Sequence, residues 1–84
     1  MPKVWEEAGF RFYVYYNDHA PAHVHVEKAE GEVLIALGDA QAKPSIREVR
    51  GMSFANVKRA LTIAIREQHH LITHWRRIHG TRTH

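Results

Sequence analysis

The sequence predicts an α+β fold: a three- or four-stranded antiparallel sheet with one long C-terminal helix on one face. Three observations carry this. Apolar residues alternate with period two before residue 40. They recur at spacings of three and four after residue 53. The connections between the first strands are short, which favours antiparallel meanders over parallel crossovers.

The elements follow in order. Phe10-Arg11-Phe12-Tyr13-Val14-Tyr15-Tyr16 is aromatic and β-branched and predicts a strand, with Phe10, Phe12, Val14 and Tyr16 on one face. Asn17-Asp18 opens a connection that Pro21 shapes. His23 to Lys28 predicts a second strand, with Val24 and Val26 inward. Glu30-Gly31 is a turn signal, and Glu32 to Leu37 predicts a third strand through Val33, Ile35 and Leu37. Ser45 to Arg50 is either a fourth edge strand or an extended lead-in. The sheet therefore occupies about residues 10–50 of a single domain, 1–84. Ser53 is a good N-cap. Beyond it, Val57, Leu61, Ala64, Ile65, Gln68, Leu71, Ile72, Trp75 and Ile78 form one stripe, predicting a helix over about 54–78 that Gly80 ends.

That helix would be about 38 Å long at 1.5 Å per residue. A six-residue strand spans only about 20 Å. A straight helix overhangs such a sheet, so Leu71, Trp75 and Ile78 are expected to form an interface, with a second copy or a small protein partner. The alternative is a helix that bends or breaks near His69-His70, with its end folding back.

Composition narrows the function. Eighty-four residues leave no room for a nucleotide-binding α/β domain or a barrel. Without cysteine there is no disulfide, thiol nucleophile or thiolate metal site. Apolar runs fall far below the roughly 18 residues that cross a membrane. The first residues, Met1-Pro2-Lys3-Val4-Trp5-Glu6-Glu7, lack a signal peptide's apolar core, so a cytoplasmic protein with no membrane contact is expected. Residues 1–42 hold three Lys or Arg against seven Asp or Glu, net −4; residues 43–84 hold nine against two, net +7. One end is acidic and the other basic.

Asn17-Asp18-His19-Ala20-Pro21-Ala22-His23-Val24-His25-Val26 is the stretch richest in chemistry. His23 and His25 stand two apart on a strand and leave by the same face. His19 and Asp18 come from the loop before them. His19, His23 and His25 make a workable zinc triad, with Asp18 as a fourth ligand or as a hydrogen-bond partner to an imidazole. Without metal, one imidazole serves as base and another as acid, with Asp18 orienting one of them. The same residues also fit a purely structural role, since strand histidines often bond their neighbours and a turn aspartate often bonds nearby backbone. A second group, Glu67, His70 and His74, has helical spacing that can bind metal but lacks the His-Glu-x-x-His order of a zinc protease. His84 is terminal.

Arg47, Arg50, Lys58, Arg59, Arg66, Arg76 and Arg77 form a basic stripe suited to nucleic-acid phosphates. No glycine-rich phosphate loop, paired-cysteine knuckle or serine nucleophile elbow is present.

Nearly the whole chain resembles a small bacterial domain family of unknown function, marked by an Asp-His-x-Pro-x-His-Val-His-Val motif. Here that motif is Asp18-His19-Ala20-Pro21-Ala22-His23-Val24-His25-Val26, and the family's terminal helix with a tryptophan near a final His-Gly matches Trp75 and His79-Gly80. Such proteins are often encoded beside another small protein, so the resemblance implies one half of a toxin–antitoxin-like pair. The leading expectation is a small binding protein of such a pair, contacting a protein partner and nucleic acid and needing no cofactor. The alternatives are a histidine-based or zinc-dependent ribonuclease and a purely structural interaction protein.

Overall fold

Five strands, rather than three or four, make the sheet of the computed structural model, which describes residues 2–80. β1 (Lys3–Glu7), β2 (Phe10–Tyr13), β3 (His23–Lys28), β4 (Gly31–Ala36) and β5 (Ser45–Arg50) pair antiparallel in chain order. Sequence reasoning missed β1 because its two apolar residues, Val4 and Trp5, are adjacent and the rest are charged, so no alternation shows. Ser45–Arg50 is an edge strand and not a lead-in. Glu7 pairs with Phe10, which makes Ala8-Gly9 a two-residue hairpin loop. Both loop residues have positive φ, 51° and 83°, as a type I′ turn requires. Lys28 closes this corner: its amine donates to the Ala8 carbonyl at 2.7 Å and lies 4.5 Å from the Phe10 ring centre.

The predicted sheet side of the core holds except at Tyr16, which lies past the end of β2 and is 74% exposed. Phe10, Phe12, Val14, Val24, Val26, Val33, Ile35 and Leu37 are all at most 1% exposed. Each such side chain contributes about 1.5–3 kcal/mol relative to exposure.

The single long helix is corrected to two. α1 (Phe54–Arg66) starts at Ser53, whose hydroxyl accepts from the Asn56 amide at 3.2 Å. α2 (Gln68–His79) follows after one non-helical residue, Glu67, at φ −101° and ψ 19°. The break answers the overhang by geometry. The side-chain amide of Gln68 donates to the carbonyls of Leu37, Asp39 and Ala42 at 2.8, 3.1 and 2.9 Å, fastening the start of α2 to the β4–β5 connection. Leu71 (0% exposed) and Trp75 (8%) then enter the core of their own chain, and Ile78 packs against it. Leu71 and Trp75 are covered within the chain and Ile78 partly so, which removes the overhang argument for an interface there. The buried face of α1 also differs from the expected stripe. It carries Val57, Ala60, Ile63 and Ala64, whereas Ile65 is 40% exposed and Leu61 only partly buried. Ala60 and Ala64, one turn apart, permit a close approach to the sheet that larger residues would block. Among the described residues, no helix is long and apolar enough to cross a membrane. His84 lies outside the described residues.

Candidate functional site

Alternation along β3 sends Val24 and Val26 into the core and His23 and His25 to the other face. The loop from β2 brings Asp18 to them. Its two carboxylate oxygens divide the work. Oδ2 accepts the Tyr15 amide at 2.9 Å and fixes the turn. Oδ1 lies 3.1 Å from His25 Nε2 and 3.4 Å from His23 Nε2. All three side chains are only 10–14% exposed. Burial pushes the Asp18 carboxyl up, but the Tyr15 amide, the His25 hydrogen bond and the nearby imidazole charges outweigh it and hold the carboxyl below its usual range.

Each imidazole is also held from behind. His23 Nδ1 donates to the Pro21 carbonyl at 3.0 Å. His25 Nδ1 lies 3.1 Å from Glu32 Oε2. Glu32 in turn meets Arg50 at 3.6 Å, and Arg50 donates to Glu48 at 2.6 Å. The Tyr15 ring sits 4.4 Å from the His25 ring, and burial, followed by the charges of Glu27 and Glu32, pushes its phenol up. Trp75 lies 5.3 Å from the His23 ring and 4.1 Å from that of His79. His79 Nε2 donates to the Tyr15 carbonyl at 3.1 Å, so the end of α2 is tied to the loop that carries Asp18.

The donors that converge among the described residues are Asp18, His23 and His25, within 4.8 Å of one another. The expected set of His19, His23 and His25 does not form. His19 is exposed at the rim of a cavity of about 320 Å³ that Asp18 and His23 also line. Arg47 lines the same cavity. The β4–β5 register explains its presence: Leu34 pairs with Glu48 and Ile35 with Ile46, so Arg47 is the extra residue of a bulge. A bulge re-aims a side chain out of the ladder's alternation. Arg50 supports Glu32 instead of facing the cavity.

The rest of the basic stripe has varied neighbours. Arg66 pairs with Glu7 and Glu67. Lys58 and Arg59 are exposed and, with Arg66, border a second cleft of about 530 Å³ against the β1–β2 hairpin. Arg76 and Arg77 are exposed on α2. Of the helical group, His70 and His74 meet at 4.5 Å between ring centres, but Glu67 turns to Arg66, so the three do not converge. Sequence reasoning missed Glu32. Its position opposite Val33 and Ile35 in the β4 alternation puts it on the histidine face and was the available signal.

The fold and the site define a small α+β protein with a largely buried carboxylate–imidazole cluster on the third strand of a meander sheet. The chain belongs to the family described as a domain of unknown function (DUF4160), whose model matches residues 9–76. That span contains Asp18, His23, His25, Glu32 and Arg47 and leaves out β1. A search of the curated proteins returns no match, and neither does a search of the solved structures.

Proposed function

We propose that the chain acts on RNA phosphodiesters, as a small histidine-based or metal-dependent ribonuclease. One observation carries this reading: the bulge residue Arg47 borders the same cavity as Asp18, His19 and His23. Cleavage by the 2′-hydroxyl forms a new O–P bond and breaks the bond to the 5′ oxygen. The hydroxyl proton must leave, the 5′ oxygen must gain one, and the phosphorane's charge must be met. Imidazoles and a carboxylate at the cavity suit the proton transfers, and the Arg47 guanidinium suits the charge.

A second reading keeps the chain as the binding member of a two-gene, toxin–antitoxin-like pair, touching a protein partner or a second copy of itself and nucleic acid without turnover. Lys58, Arg59, Arg76 and Arg77 favour it, being exposed and in no ion pair among the described residues. Both readings imply a cytoplasmic protein. Incubation of the full chain with a fluorogenic RNA separates them. The ribonuclease reading expects cleavage that His23→Gln abolishes and Arg47→Ala strongly lowers. Salt-dependent binding without turnover, weakened by neutralising the four exposed cations, supports the second reading. RNA neither cut nor bound overturns both.

A further inference from the structure

We propose that Asp18, His23 and His25 form a binding site for a first-row divalent transition ion, with zinc the ion to test. This deepens the phosphodiester reading and rests on it for the ion's use, but not for its binding.

The argument is one of lone pairs. A backbone carbonyl can only accept, so the Pro21 oxygen at 3.0 Å fixes the hydrogen of a neutral His23 on Nδ1. His25 lies between two carboxylates, Glu32 at Nδ1 and Asp18 at Nε2, each at 3.1 Å, and a neutral ring has one hydrogen to share between them. A neutral His23 therefore turns the lone pair of Nε2 toward Asp18, and His25 does the same whenever its hydrogen is on the Glu32 side. Both Nε2 atoms lie against one oxygen of Asp18 whose fellow oxygen is already occupied by the Tyr15 amide. Two imidazole lone pairs and a carboxylate oxygen repel unless a proton or a metal ion sits among them. A carboxylate or carbonyl behind each imidazole is also how metal-bound histidines are held. In a tetrahedral site with bonds of about 2.0–2.1 Å, ligand atoms lie about 3.3–3.4 Å apart. The oxygen of Asp18 lies 3.1 and 3.4 Å from the two nitrogens. Two nitrogens and one oxygen suit zinc and its late first-row neighbours better than magnesium or calcium, which prefer oxygen alone. Asp18 and His23 both border the cavity, so a fourth position faces it and can hold water.

The bland alternative is a hydrogen-bonded cluster that holds protons only. The test uses the full chain without an affinity tag, stripped with a chelator and titrated with zinc by calorimetry. We expect about one zinc per chain, bound at least about 100-fold more weakly after Asp18→Ala or His25→Gln, and unchanged in the double variant His70→Gln, His74→Gln. A measurement on the unaltered chain guards against variants that fail to fold. Long-range proton–nitrogen spectra should show zinc shifting Nε2 of His23 and His25 while their Nδ1 atoms keep their hydrogens. Unmoved Nε2 signals, or zinc binding lost only in the His70–His74 variant, would overturn the site. Zinc bound at these residues with no RNA cut keeps the site and removes the ribonuclease reading. RNA cut at full rate after chelation, with no zinc bound, does the reverse.

Discussion

Asp18 Oδ1 stands 3.1 Å from His25 Nε2, joining a loop residue to a strand residue seven positions later. The contact needs a turn that Asp18 itself holds, through the Tyr15 amide, so one carboxylate both shapes the loop and completes the site. Its neighbour His19, equally close in sequence, is exposed at the rim.

The carboxylate behind His25 should matter to zinc. Glu32→Ala leaves His25 Nδ1 without its acceptor and is expected to weaken zinc binding about 10–100-fold, the usual cost of losing such a partner. Calorimetry on the variant checks this. Affinity equal to that of the parent chain would show that Glu32 plays no part in holding the ring.

Arg47 should separate chemistry from stability. It is exposed in the bulge of an edge strand, so Arg47→Ala is expected to shift stability by no more than about 0.5 kcal/mol. RNA cleavage should fall about 100–1,000-fold if the guanidinium meets the phosphorane's charge. Paired urea melts and turnover assays give both numbers.

Leu71 and Trp75 distinguish a core from an interface. Both are buried within one chain, so Leu71→Ala should cost about 2–5 kcal/mol and Trp75→Ala about 3–5 kcal/mol of unfolding free energy. Urea denaturation at several protein concentrations is the check. A loss that grows with dilution, with the parent chain's midpoint also concentration-dependent, would return these residues to an interface.

The sheet side of the core was legible because period two is a strong pattern: of the residues placed on the inward faces all but Tyr16 are buried. The histidine face was legible for the same reason. The helix break was legible only as the alternative near His69-His70 that the overhang raises; its place at Glu67 was not, because Glu67 is a good helix former and nothing in the periodicity stops there. What sets the break is tertiary: Gln68 finds three carbonyls on the β4–β5 connection, 26 to 31 residues earlier. The sequence offers both His19 and Asp18 as loop partners of the two strand histidines, and spacing alone cannot tell which of these side chains turns inward. Arg47 stands in the basic stripe of the sequence, but its place at the cavity depends on a one-residue register shift that no side-chain pattern announces.

His74 predicts a pH dependence. Burial, then the charges of His70 and Arg77, pushes its imidazole below the ordinary value of 6.5. The folded chain favours the neutral ring, so the unfolded chain takes up the proton first as pH falls. Stability from this group is full above about 6.5 and declines as pH drops below it, through the lower folded value. His74→Gln should flatten the slope of unfolding free energy between pH 7 and 5, measured by urea melts with chelator present. An unchanged slope would remove His74 as its source.

The most direct measurement of the central claim is anomalous scattering at the zinc edge from crystals grown with stoichiometric zinc. The account predicts one peak per chain about 2.0–2.1 Å from Nε2 of both His23 and His25 and about 2.0–2.2 Å from the Asp18 carboxylate. No peak there, with the three side chains still hydrogen-bonded to one another, or a peak between His70 and His74 instead, would contradict it.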